Sequence, residues 1–72
     1  MTIKDLSLII NSIRKENDLD AIEISAISNL RKDLDMDSYD LAQLTVLVES
    51  KTNIDIFEKK SPVTIGDILE CF

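Results

Sequence analysis

Apolar residues recur at helical spacing in the first part of the chain. Such spacing puts the side chains on one face of an amphipathic helix. Thr2 precedes this stripe and Asp5 follows three residues later, the order of a capping box. The pattern predicts a helix that begins after Thr2 and ends near Glu16 and Asn17. The residues of the stripe are Ile3, Leu6, Ile10 and Ile13, with Ile9 beside them.

A second apolar stretch, residues 44–48, is rich in β-branched side chains and by itself would also suit a strand. Helix is favoured because the apolar positions share one helical face up to about Lys51, and because Asp37 and Ser38 form a good N-cap. Asp37 with Asp40 also repeats the order of a capping box. A single Gly and a single Pro are too few turn signals for a sheet of hairpins. The residues on the shared face are Leu41, Leu44 and Val48.

The remaining segments carry weaker patterns. Residues 18–36 predict a long connection with a helical turn near 28–32. The apolar residues of this connection that are expected to reach the core are Leu19, Ile22, Ile24, Ile27, Leu30 and Leu34. Residues 54–60 predict one short turn, and Thr64 with Asp67 predicts the start of a final helix. We expect one all-α domain over residues 1–72. The final helix should bury Ile65, Ile68, Leu69 and Phe72.

Composition excludes several kinds of chemistry. The 72 residues include no histidine, so Ser/His and Cys/His nucleophile pairs and histidine-bearing zinc sites are ruled out. A chain of this length buries only a modest core, so a closed catalytic pocket is not expected. The single cysteine, Cys71, cannot form an internal disulfide and fits a reduced compartment as a half-buried free thiol. Without a long apolar run or a signal-peptide pattern, the chain is expected to be a cytoplasmic monomer with no membrane contact.

The net charge of −6 has a definite location in the chain. Residues 33–58 hold seven acidic side chains and one basic one, whereas the rest of the chain is balanced. Net acidity argues against nucleic-acid binding, which requires a basic face. The middle of the chain is either a solvated acidic face or a docking surface for a basic partner.

Acidic residues at positions 33, 35 and 37 also invite comparison with a calcium-binding EF-hand loop. The comparison fails, because Ser38 stands where that loop needs glycine and Leu44 where it needs the bidentate glutamate. No metal site is predicted.

Ser38 is the candidate functional residue. Serine before a helix is commonly a cap, and Asp37 is able to fill that role instead. A phosphate attached to Ser38 would be stabilised by the backbone N–H groups and the dipole at the helix start. With no histidine to activate it, the hydroxyl is better suited to being modified than to acting as a nucleophile.

Three short blocks follow the first predicted helix in order. They are Asp33-Leu34-Asp35-Met36-Asp37-Ser38, Asn53-Ile54-Asp55-Ile56 and Thr64-Ile65-Gly66-Asp67-Ile68. With the two amphipathic helices, these blocks resemble the acyl carrier proteins over nearly the whole chain. The strings of that family read roughly D-L-G-x-D-S-L-D, G-I-x-I-P and T-V-G-D.

The resemblance implies a small four-helix bundle with a long first loop and a short third helix. It also implies that Ser38 bears a 4′-phosphopantetheine arm, transferred from coenzyme A by a phosphopantetheinyl transferase. The arm would carry acyl groups as thioesters to loading and processing enzymes of fatty-acid, polyketide or related biosynthesis. Those enzymes would dock through basic patches, and the carrier itself would not be an enzyme. The surface implied for their recognition comprises Asp37, Tyr39, Asp40, Gln43, Val46 and Glu49.

Several positions depart from the family pattern. Asp35 replaces a usual glycine, Tyr39 a leucine, Gln43 a common glutamate and Phe57 a common proline. These changes favour a specialised stand-alone carrier. The alternatives are a D-alanyl or aminoacyl/peptidyl carrier, and a helical acidic adaptor that binds its partner without a prosthetic group.

Overall fold

The computed structural model describes residues 1–58 and 61–72. Within these residues there are three helices, α1 (Ile3–Glu16), α2 (Ser38–Thr52) and α3 (Ile65–Leu69), and no strand. An isolated antiparallel bridge joins Asn29 to Thr64. The predicted helical character is confirmed, and α1 and α2 have the predicted bounds to within one residue.

The resemblance implies a bundle of four helices, but the described residues form only three. Residues 54–58 form a turn instead, in which the Glu58 N–H donates to the Asp55 carbonyl oxygen at 3.2 Å. The Phe57 N–H donates to the Asp55 carboxylate at 2.9 Å and tightens the same turn. The rest of the turn predicted for residues 54–60, Lys59 and Lys60, lies outside the described residues.

All three predicted capping boxes form. Thr2, Asp37 and Thr64 are the N-caps of α1, α2 and α3, and each accepts a hydrogen bond from the backbone N–H three residues later. In each case the carboxylate at that third position accepts from the backbone N–H of the cap residue. Each box satisfies backbone donors that a helix start otherwise leaves without a partner.

The core lies between the helices, with α1 packed against both α2 and α3. The apolar stripe of α1 is buried except for Ile3, which is half-buried, and the connection adds three buried side chains. The prediction that Phe72 is buried is wrong, because α3 ends at Leu69 and Phe72 remains 41% exposed. The buried apolar residues are Leu6, Ile9, Ile10, Ile13, Leu30, Leu34, Met36, Leu41, Leu44, Val48, Ile56, Ile65 and Ile68.

The connection between α1 and α2 contains a turn about two residues later than predicted. The Asn29 carbonyl oxygen accepts from the N–H groups of Asp33 and Leu34, so the turn runs from 29 to 34. Its start is fixed by the Asn29 side chain, whose oxygen accepts from the N–H groups of Arg31 and Lys32 at 3.0 and 2.9 Å. Asparagine favours such local bonding over helix, which explains the shift from the predicted position.

The same connection is attached to the start of α3 by backbone hydrogen bonds. The Ile65 N–H donates to the Ser28 carbonyl oxygen, and the Gly66 N–H donates to that of Ala26 at 2.8 Å. A Cβ at Gly66 would lie 3.1 Å from the Ala26 oxygen, so glycine permits this close approach. Ile27, predicted as an apolar anchor, instead points to solvent, and Leu19 is also exposed.

Across residues 1–58 and 61–72, no helix is both long enough and apolar enough to cross a membrane.

Candidate functional site

Ser38 is the first residue of α2, and its side chain is exposed. The N-cap is Asp37, whose Oδ1 accepts from the Asp40 N–H at 2.9 Å. The Ser38 hydroxyl therefore has no capping role, and it makes no hydrogen bond within the described part of the chain. The structure thus assigns the cap to Asp37, one of the two possibilities left open by the sequence.

Two backbone donors lie beside this hydroxyl. The N–H groups of Ser38 and Tyr39 occupy the first two positions of α2, and neither has a hydrogen-bond partner among residues 1–58 and 61–72. Donors at a helix start point outward along the axis and, with the helix dipole, favour an anion. The start of α2 combines an exposed hydroxyl with an environment suited to a phosphate.

A buried arginine fixes the segment that leads to Ser38. Arg14, in the last turn of α1, is only 9% exposed. Its Nη1 donates to the Leu34 carbonyl oxygen at 3.0 Å, and its Nε donates to that of Asp20 at 2.8 Å. One guanidinium therefore attaches both ends of the long connection to α1.

The capping box of α2 is also bound to α1. Asp40 is 6% exposed, and its Oδ1 accepts from Nδ2 of Asn17 at 3.0 Å while its Oδ2 accepts from the Asp37 N–H at 3.2 Å. The hydrogen bond from Asn17 adds a contact between helices to the local capping box. The C-cap of α1 is thereby attached to the N-terminus of α2.

Sequence reasoning missed both Arg14 and Asn17. A signal for Arg14 was present, because it follows Leu6 and Ile10 at intervals of four and so continues the buried face of α1. No comparable signal marks Asn17, whose partner is 23 residues away.

Asp35 adopts a left-handed backbone conformation with φ of 55°. It occupies the place where the resembled family usually has glycine, the residue for which this conformation carries no steric cost. Aspartate is among the few other residues that tolerate it. Asp35 thus adopts a conformation that glycine would also permit, and it adds a negative charge at the entrance to α2.

An open groove of about 400 Å³ begins at Ser38. We call it the Ser38 groove. Its floor is mainly apolar, and it is bordered by one basic and one acidic residue. The lining residues are Arg31, Ser38, Leu41, Ala42, Thr45, Asp55 and Phe57.

The residues implied for partner recognition are placed differently from one another. Tyr39 and Val46 are 75% and 66% exposed, and Glu49 is also at the surface. Gln43 is half-buried, and its Nε2 donates to the Glu16 carboxylate at 3.0 Å. The remaining two, Asp37 and Asp40, form the capping box, and of these only Asp37 is exposed.

Two of the three acidic residues of the rejected calcium loop, Asp33 and Asp37, accept hydrogen bonds from nearby backbone N–H groups. Asp33 accepts from the Asn29 N–H at 2.7 Å, and Asp37 caps α2. Within the described ranges, no three His, Cys, Asp or Glu residues come together in an arrangement that would hold a metal ion. Cys71 is a half-buried free thiol, as predicted, and its Sγ lies 3.7 Å from the Asp67 carbonyl oxygen.

Comparisons with protein-family models, with curated proteins and with solved structures each give no match.

Proposed function

We propose that this protein is a carrier that bears a 4′-phosphopantetheine arm on Ser38 and delivers acyl groups to partner enzymes. The arm would supply a thiol that holds the acyl group as a thioester. The chain's own contribution is to present the modified serine on a rigid helix start. In the transfer, the Ser38 oxygen would attack the phosphorus next to the pantetheine of coenzyme A and form a phosphodiester. The pyrophosphate bond would break and adenosine 3′,5′-bisphosphate would leave, while a separate transferase would catalyse the step and take up the hydroxyl proton.

One observation carries this proposal: the Ser38 hydroxyl is exposed and free because Asp37 occupies the cap. A serine kept only for helix capping would bond the backbone N–H two or three residues later. Ser38 does not, although it stands at the boundary where such a bond would form. Its position is therefore better explained by reaction with an external group.

The residues around Ser38 fit a phosphodiester. The free N–H groups of Ser38 and Tyr39 are suitable donors for its oxygens, and the helix dipole favours its negative charge. The hydroxyl is accessible to a second protein, as transfer of the arm requires. The local backbone is held by Arg14 and Asn17, so an attached group would extend from a fixed point.

The arrangement of the fold is part of the proposal. The turn at residues 54–58 would stand in place of the short third helix of the resembled family, next to the groove that Phe57 lines. The exposed part of α2, with Tyr39, Val46 and Glu49, would face the partner enzymes. Acidic charge around Ser38 would attract their basic patches and accelerate encounter.

The decisive experiment is transfer of the arm in vitro. The purified protein is incubated with coenzyme A and several phosphopantetheinyl transferases, and its intact mass is measured. We expect a gain of one phosphopantetheine group. No gain with any of the transferases would contradict carrier function and favour an adaptor without a prosthetic group.

Two serine variants of α2 make the test specific. Ser38→Ala should remain unmodified, while its circular dichroism and melting temperature stay close to those of the wild type because the Asp37 cap is intact. Ser50→Ala is the matched control, since Ser50 is an exposed serine of the same helix that donates to the Leu47 carbonyl oxygen. It should be modified like the wild type.

A further inference from the structure

Arg31 lies at the border of the Ser38 groove, and neither capping nor packing explains its side chain. The residue is exposed, and its only hydrogen bond within the described ranges is made by its backbone N–H. Of the described residues that line the groove, it is the only cation. The guanidinium is therefore available to an anion at Ser38.

The backbone around Arg31 is fixed relative to Ser38. Arg31 is held in the turn over residues 29–34, in which the Asn29 side chain accepts from its N–H. The neighbouring residue Leu30 is buried, and its carbonyl oxygen accepts from the Met36 N–H at 3.0 Å. Met36 is two residues before Ser38, so this hydrogen bond joins the turn to the start of α2.

The local charge makes a counter-ion important. A phosphodiester on Ser38 would add a negative charge beside Asp35 and Asp37, which are both exposed. Like charges on neighbouring residues repel one another, and this repulsion would push an attached group away from the surface. A guanidinium binds phosphate oxygens through several N–H groups in a fixed plane, and it remains charged at any pH in question.

We propose that Arg31 is the counter-ion of the phosphodiester at Ser38 and holds the base of the arm in the Ser38 groove. The inference rests on the proposed function. One CH₂ group beyond its phosphate the arm carries a carbon with two methyl groups, and the apolar lining residues Leu41, Ala42 and Phe57 suit them. Arg31 is thus a positioning residue that sets how much of the arm lies against the protein.

The test compares the apo and arm-bearing forms of three proteins by ¹⁵N and ³¹P NMR. These are the wild type, Arg31→Gln and Lys32→Gln, each loaded with the arm to completion and checked by intact mass. Lys32 is the matched control because it is an exposed cation of the same turn that does not line the groove. Circular dichroism confirms that each variant is folded.

In the wild type, attachment of the arm should shift the amide signals of Arg31, Ala42 and Phe57. An exposed ion pair of this kind should change the equilibrium between an arm that lies in the groove and one that extends into solvent by roughly 1.5- to 5-fold. We expect Arg31→Gln to reduce the shifts at Ala42 and Phe57 by that factor and to narrow the ³¹P line, while Lys32→Gln leaves both unchanged. Raising the salt to about 1 M should bring the wild type close to Arg31→Gln.

Several outcomes would overturn the inference. Shifts confined to the residues adjoining Ser38 would show that the arm does not enter the groove. Equal effects of Arg31→Gln and Lys32→Gln would show that only overall charge matters. If Arg31→Gln alone cannot be loaded, Arg31 acts in transferase docking and the inference is wrong. Failure to load the wild type would instead contradict the proposed function itself.

Discussion

The starts of α1 and α2 carry the same local motif in different surroundings. Thr2 with Asp5 and Asp37 with Asp40 both form complete capping boxes. The Thr2–Asp5 box is exposed, and among residues 1–58 and 61–72 both of its side chains form hydrogen bonds only with each other's residue. In the second box Asp40 is buried and bound by Asn17 from another helix.

This difference lies in how each helix start is attached to the rest of the molecule. A local box satisfies backbone donors but leaves the helix start free to fray. At α2 the box and the preceding loop are attached to α1 through Asn17 and Arg14. The first helical residue after each cap also differs in exposure: Ile3 of α1 is half-buried, whereas Ser38 of α2 is exposed.

The largest effect is expected from Arg14→Met, which keeps most of the apolar stem and removes the guanidinium. Two carbonyl oxygens, of Asp20 and Leu34, would lose their Arg14 donors. Hydrogen bonds to charged groups contribute roughly 1.5–3 kcal/mol, so the free energy of unfolding should fall by about 2–3 kcal/mol. Urea unfolding measures this loss. Arg31→Met, at an exposed site, is the control and should change stability by less than about 0.5 kcal/mol; equal losses would refute the anchoring role.

The two capping boxes should differ in the effect of removing their carboxylates. Asp40→Ala loses the bond to Asn17 as well as the local box, and we expect a fall of about 2 kcal/mol in the free energy of unfolding. Asp5→Ala should lower the free energy of unfolding clearly less, because Asp5 is exposed and Thr2 is its only hydrogen-bond partner in the described part of the chain. Urea unfolding of the two variants side by side decides this.

A double-mutant cycle between Asn17→Ala and Asp40→Ala separates the tertiary contact from the cap. We expect a coupling free energy of about 1 kcal/mol, as for residues in one hydrogen-bond network. Additive effects would mean that the second box is as local as the first, and the comparison between the helix starts would fail.

The smallest effect concerns pH and the first box. The hydrogen bond from the Thr2 backbone N–H, and then that from the Thr2 hydroxyl, lower the pKa of Asp5 from its ordinary value. A lowered pKa in the folded state means that the carboxylate contributes stability above the ordinary value, near 3.8, and loses it as the pH falls through the folded-state value. The free energy of unfolding of the wild type minus that of Asp5→Asn, measured by urea unfolding, should therefore become smaller below about pH 4. A difference that becomes larger on acidification would contradict this prediction.

Local patterns predicted the helices well because their causes are local. The capping boxes and the stripe from Ile3 to Ile13 involve residues only a few positions apart, and the structure has them as expected. Helix α2 was assigned despite its β-branched run because Leu41, Leu44 and Val48 shared one face, and all three are buried.

The features that the sequence did not predict depend on contacts between residues far apart in the chain. The bond from Asn17 to Asp40 spans 23 residues and that from Arg14 to Leu34 spans 20. The Ser38 groove combines residues of the connection, α2 and the 54–58 turn, which no periodicity brings together. Phe72 was misplaced because α3 is shorter than its apolar pattern suggested.

The most direct measurement is the tandem mass spectrum of the protein purified from its own cells. Fragmentation between Asp37 and Tyr39 locates any added group on Ser38. The account predicts a phosphopantetheine group on Ser38, with or without an acyl group on its thiol, in a substantial fraction of the molecules. A population in which Ser38 is unmodified in every molecule would contradict the central claim.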